Sequence, residues 1–232
     1  MKWLLLMTAL WSPVAFAWPV DWVHDVEVNR EKFLRLPPVD LIDVEDPSIA
    51  EVKYLEDTNE LLMVGLKVGR TQVLLRSNGR IAVWRIRVGQ KPVTDAKLWA
   101  AAEKACPDFH PTPLEDTKLT VTVQNDACRK ALLALFQTDA FEARFIELTF
   151  DGAVLQLQLK ALQDELKKRF AGKVSSRYVG AGLVLEGTVS AREHRQVLWA
   201  VLKINLGRYA VSDEIEETPE PAPTDAGTKP VK

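Results

Sequence analysis

FLRLPPVDLIDVEDPSIAEVKYLEDTNELLMVGLKVGRTQVLLRSNGRIAVWRIRV, residues 33–88, decides the fold class. Short β-branched or alternating runs follow one another from just upstream of it: Val23 to Val28, Lys32 to Leu36, Val39 to Val44, Glu51 to Leu55, Glu60 to Gly65, Thr71 to Arg76 and Ile81 to Val88. Turn chemistry separates them. Pro37-Pro38, Asp46-Pro47-Ser48 and Asp57-Thr58-Asn59 break the chain, and Asn78-Gly79 between two apolar runs is a strong hairpin signal. Seven short strands at this spacing predict a small β-sandwich over residues 18–90.

Charge divides this region in two. Residues 21–60 hold twelve acids and four bases, whereas residues 61–94 hold seven bases and no acid. Arg85 and Arg87 alternate with Trp84, Ile86 and Val88, which puts both arginines on one face of a strand. Two readings stay open. Lys67, Arg70, Arg76, Arg80, Arg85 and Arg87 form a partner-binding face, or they pair across strands with the acidic half. The chain as a whole carries a formal charge of −2, so no overall basic field points to nucleic acid.

Upstream, MKWLLLMTALWSPVAFA has the layout of a secretory signal peptide, residues 1–17, cleaved after Ala17. Its apolar run is too short to cross a bilayer of about 30 Å. Export makes the two cysteines informative. Cys106 and Cys128 allow one intramolecular pairing, and an oxidising compartment favours that disulfide over two buried thiols. Trp18 and Trp22 either pack on the sandwich, as expected, or stand out as a patch.

Residues 91–118 read as a helix from a Thr94 cap to about Ala105, followed by a proline-rich connector through Pro107, Pro111 and Pro113. Residues 119–216 alternate strand and helix. Leu119, Val121 and Val123 line a strand, and Asn125 or Asp126 caps a helix with Cys128, Ala131, Leu132, Leu135 and Phe136 on one side. Phe145–Phe150 and Ala153–Leu159 read as a hairpin about Asp151-Gly152. A helix with Leu162, Leu166 and Phe170 ends at Gly172, and strands follow at Val174–Val179 and Leu183–Val189. Ser190 and Glu193 form a capping box for a helix that stops at Gly207, before a last short strand with Tyr209, Val211 and Ile215. Residues 217–232, with four prolines and no aromatic, predict a disordered tail.

The sequence offers little chemistry. His24, His110 and His194 are scattered, and no nucleophile elbow, phosphate loop, H-E-x-x-H or EF-hand spacing is present. Gly180-Ala181-Gly182 reads as a turn, and the carboxylate pairs near Asp46 and Asp57 as turn formers rather than calcium ligands. No catalytic residue, metal or cofactor is expected.

Two stretches resemble known modules. Asp46-Pro47-Ser48-Ile49-Ala50-Glu51-Val52, Val64-Gly65, Gly69-Arg70-Thr71 and Asn78-Gly79-Arg80 resemble the pattern of the N-terminal region of pilus-formation proteins, the secretins of tight-adherence pilus systems. Residues 160–216, with Leu185-Glu186-Gly187-Thr188-Val189-Ser190 leading into a helix, are similar to BON modules, and residues 119–159 read either as a related ring-building unit or as part of the same domain. The resemblance implies an α+β protein, a sandwich followed by a BON-like ring-building domain, that lacks the secretin pore. It implies a non-catalytic periplasmic accessory subunit that meets secretin, pilus or secretion-apparatus proteins, with strand edges available for oligomerisation and no membrane span. The alternative reading is a module that binds an envelope ligand, glycan or phospholipid.

Overall fold

The computed structural model describes residues 20–91, 95–109, 119–136, 138, 146–180, 182–207 and 210–219. The expected signal peptide, Thr94, His110, the prolines at 111 and 113, and the chain after residue 219 lie outside them. Among the described residues no helix is long and apolar enough to cross a membrane.

The first half is a seven-stranded sandwich: β1 (Trp22–Val26), β2 (Glu31–Arg35), β3 (Leu41–Val44), β4 (Ala50–Leu55), β5 (Glu60–Gly65), β6 (Gly69–Ser77) and β7 (Arg80–Val88). One sheet has the order β1-β7-β6-β3 and the other β2-β5-β4. Alternation supplies the core: Leu61 and Met63 from one sheet meet Val73, Leu75, Trp84, Ile86 and Val88 from the other. Asn78 and Gly79 take φ of 51° and 71°, the pair of positive values that a two-residue hairpin turn needs, and Ser77 faces Arg80 across it. The Asp46-Pro47-Ser48 turn is fixed by its own carboxylate, whose Oδ1 accepts from the Ser48 amide at 3.0 Å and hydroxyl at 2.6 Å. The Asp46 amide then donates to Thr71 Oγ1 at 2.9 Å, so two of the motif stretches are in contact. At Gly65 a Cβ would lie 2.4 Å from the Glu27 carbonyl oxygen, which explains the bare backbone there.

The second half contains α1 (Ala96–Ala105), β8 (Leu119–Val123), α2 (Asp126–Phe136), β9 (Ile146–Phe150), α3 (Gly152–Phe170), β10 (Val174–Val179), β11 (Gly182–Ser190), α4 (Ala191–Ile204) and β12 (Ala210–Thr218). It is built on two cores. α1, α2 and Phe109 close over the parallel pair β8–β9 around Val121, Val123, Leu132 and Leu135. α3 and α4 cover the β10-β11-β12 sheet through Leu162, Leu166, Leu183, Leu185, Val197 and Val201. α3 belongs to both, with Val154 in the first core and Leu162, Leu166 and Phe170 in the second.

Four expectations need correction. There is no Asp151-Gly152 hairpin. Asp151 is the N-cap of α3, its Oδ1 accepting from the Ala153 amide at 2.8 Å, and residues 153–159 are helical. The buried stripe steps by four, Val154, Gln158, Leu162, Leu166 and Phe170. A polar residue in the second place hides it, and that residue is there because Gln158 Oε1 takes the Leu206 amide at 2.7 Å. The α1 cap is Asp95, which accepts from the Lys97 amide. The final strand is long: β12 pairs with β11 in parallel from Gly182↔Ala210 to Ser190↔Thr218, beyond the expected start of the tail. Trp22 is 45% exposed rather than packed away, and lines a shallow groove with Leu36, Pro37 and Trp84.

Cys106, which caps the C-terminus of α1, is bonded to Cys128 in the first turn of α2, across 22 positions of sequence. Replacing both by serine removes a loop closure worth about 3 kcal/mol in the chain-entropy account. Urea unfolding of the double variant should show a loss of that order, matched by the reduced parent protein.

Candidate functional site: the charged face between the two halves

The outer face of the β1-β7-β6-β3 sheet presents Leu74 and Arg76 from β6 and Ile81, Val83, Arg85 and Arg87 from β7, because alternate residues share a face. Leu74 and Val83 are fully buried, and they belong to the same apolar core as residues of α3, α4 and the β10-β11-β12 sheet. The face does dock, but onto the second half of its own chain.

Arg85 and Arg87 are buried, so neither can offer its charge to another molecule. Arg85 Nη1 donates to the Thr138 carbonyl at 2.7 Å and Nη2 to the Phe136 carbonyl at 3.2 Å. It sits where α2 ends, a place of unpaired carbonyls and partial negative charge that suits a cation. Arg87 lies directly across from Asp25 of β1 and grips it with two parallel bonds, Nε to Oδ1 and Nη2 to Oδ2, each 2.7 Å. Arg76 reaches Asp40 at 3.1 Å within the sandwich and Asp213 of β12 at 2.7 Å. The cross-strand reading describes Arg87 with Asp25 and Arg76 with Asp40, while Arg85 and Arg76 also bind the C-terminal half of the same chain. Of the six expected partner-binding residues, Lys67, Arg70 and Arg80 are exposed.

The acidic edge strand β3 completes the joint. Asp43 Oδ2 accepts from the Trp199 indole at 2.6 Å and Oδ1 lies 3.5 Å from Arg195. Glu45 pairs with Lys203 at 3.5 Å, and burial holds its carboxyl above the usual range in spite of that cation. Asp43, Glu45, Trp199 and Lys203 line a cleft of about 430 Å³ with Arg169 and Gln196. Sequence reading assigned no role to Arg195, Trp199 or Asp43. One signal was available: Val197 to Leu202 is an unbroken apolar run, and all six residues are buried. A surface helix buries a stripe, whereas a helix apolar all round is covered on more than one side.

His194 is coupled to two carboxylates of β12. Its Nε2 lies 2.8 Å from Asp213 Oδ2 and its Nδ1 2.7 Å from Glu217 Oε1. Both ring nitrogens face carboxyl oxygens, which accept when ionised, an arrangement that favours the imidazolium. The hydrogen bond to Asp213 raises its pKa, against burial and with help from Glu217. Burial opposes ionisation of Asp213, but the bond and charge of His194, with Arg76, hold its carboxyl below the usual range. His24 is the opposite case: burial and the charge of Lys32, against Asp25, lower its pKa to about 4, and its ring packs edge-on to Trp84 with centroids 4.7 Å apart. Among the described residues no group of three His, Cys, Asp or Glu side chains is placed to hold a metal.

Residues 23–89 match the family model of the pilus formation protein N terminal region. The match covers the sandwich and less than a third of the chain. Among solved structures the chain is similar to CdsD, a structural protein of the Type III secretion system of Chlamydia trachomatis, with 16% identity over 57% of this chain and 68% of that one and a TM-score of 0.28. It is also similar to the C-terminal domain of CdsD, with 17% identity, coverage of 57% and 71%, and a TM-score of 0.27. No curated protein matches the chain.

Two outcomes test the joint. Arg85→Met leaves two carbonyls without their cation and should cost roughly 3 kcal/mol, read by chemical denaturation. The raised pKa of His194 makes its contribution complete below the ordinary imidazole value of about 6.5 and lost as pH climbs through the raised value. Thermal stability should therefore fall on the alkaline side in the parent, and His194→Gln should flatten that limb of the profile.

Proposed function

We propose that this protein is a non-catalytic periplasmic subunit of a secretin-type pilus or secretion apparatus, and that it works by protein–protein contact. The observation that carries the reading is the pilus-formation sandwich at residues 23–89. Its motif residues are spent on turns and close backbone approaches, as at Asp46, Thr71 and Gly65, and so serve architecture. Buried Arg85 and half-buried Arg76 join the sandwich to the second half as one body that can be handed to a partner whole.

The surfaces left for partners follow from what the joint consumes. One face of the β10-β11-β12 sheet is covered by α3 and α4; the other turns Arg177, Glu186, Glu214 and Glu216 outward. Arg177 pairs with Glu186 at 2.6 Å, so the remaining charge on that face is acidic and suits a basic partner surface. Among the described residues β10 and β12 are the edges of this sheet, and an edge next to such a face supports pairing with another strand, in a neighbouring subunit or a second copy. Exposed Arg80 remains a candidate contact at the hairpin end of the sandwich.

Mild crosslinking of the tagged protein in its own cell envelope, followed by affinity purification, should recover a secretin or pilus component. Glu214→Lys with Glu216→Lys should reduce that recovery while leaving the fold intact. A partner set with no secretion or pilus protein overturns the proposal.

A further inference from the structure

Turns in the sandwich are mostly built from polar residues, such as Asn78-Gly79 and Asp57-Thr58-Asn59. The link from β5 to β6 is different. Leu66-Lys67-Val68 passes from one sheet to the other with Leu66 43% and Val68 57% exposed. Val28, from the link between β1 and β2, is 36% exposed. The two valines meet around Gly89, where a Cβ would stand 3.4 Å from Val68 Cγ2 and 3.6 Å from Val28 Cγ2. The loop is held in place, since the amides of Leu66 and Lys67 both donate to the Ile49 carbonyl, at 2.9 and 3.2 Å. Aliphatic side chains are therefore gathered and presented at one end of the sandwich, where they gain nothing from water.

The charge around them is basic. Lys67, Arg70 and Lys91 are exposed, and no acid occurs from residue 61 to 94. Two acids lie near. Glu27 is paired with Arg30 at 3.9 Å, and Asp46 is occupied by Ser48 while feeling the charge of Lys67. We propose that this loop end, Val28, Leu66, Lys67 and Val68 with Arg70 and Lys91, is a contact for an anionic lipid surface. Aliphatic tips interleaved with cations are the combination that such a surface rewards. The apolar side chains leave water for the acyl boundary, and the cations stay among the headgroups. A protein hot spot would instead be expected to offer an aromatic or buried arginine anchor, and the tip has neither. The inference goes beyond assembly in an apparatus, for it places one end of the subunit against the membrane.

The test is flotation of the full protein with vesicles of phosphatidylethanolamine and phosphatidylglycerol, against vesicles of phosphatidylcholine alone. The parent should float with the anionic vesicles and be released by salt. Leu66→Ser with Val68→Ser should weaken binding about tenfold or more. Val68→Trp should strengthen it with the thermal unfolding profile unchanged, which separates the gain from misfolding. All these residues are exposed, so circular dichroism and thermal unfolding should stay at parent values. Failure of the parent to float, or flotation unaffected by the serine pair, overturns the proposal. So does a serine pair that keeps vesicle binding but loses a crosslinked protein partner, which would assign the tip to that protein.

Discussion

The guanidinium of Arg85 is buried between two folding units, and most of the architecture is a response to that fact. A cation cannot be left without acceptors in such a place, because the loss of hydration is not recovered elsewhere. The acceptors come from the end of α2, fifty residues along the chain, so the sandwich and the second half must meet in one orientation for the bonds to exist. Apolar contact between Leu74, Val83 and the helices supplies attraction but tolerates sliding; fixed donors and acceptors do not. Arg76 to Asp213 and Trp199 to Asp43 add further fixed points around the same face.

α4 shows what this arrangement demands of a helix. It has its own sheet beneath it and the edge strand of the sandwich above, and so carries Val197 to Leu202 buried in succession with Trp199 pointing its one polar atom at Asp43. α3 solves a different problem. It passes from one small core into another, and the polar Gln158 marks the crossing by taking the Leu206 amide. Two cores that share a nineteen-residue helix do not unfold separately without breaking it.

How much of this could be read beforehand depends on whether the deciding interaction was local. Asn78-Gly79, the Ser190–Glu193 capping box and the Asp46-Pro47-Ser48 turn are satisfied within four residues, and each formed as expected. Cys106 and Cys128 were legible because two cysteines leave one pairing. The first turns of α3 were misread because Gln158 is polar for a reason located forty-eight residues away. The basic face was seen as a face, but its occupant was not. Nothing local distinguishes an arginine waiting for another protein from one waiting for the end of a helix in its own chain. The network of His194, Asp213 and Arg76 was invisible for the same reason, since Arg76 lies 137 positions from Asp213.

That choice of residues bears on the order of events during synthesis. The sandwich is complete at Val88, while the strand that supplies Asp213 and Glu217 is made last. For the interval between, the sandwich exists with its docking face bare. Were that face lined with leucine throughout, a nascent chain would carry an adhesive patch at the stage when aggregation is easiest. With Arg76 and Arg85 among the aliphatics that face keeps hydrated charge until Asp213 and the carbonyls at the end of α2 arrive. The ion pairs that later close the joint also keep the half-made protein in solution.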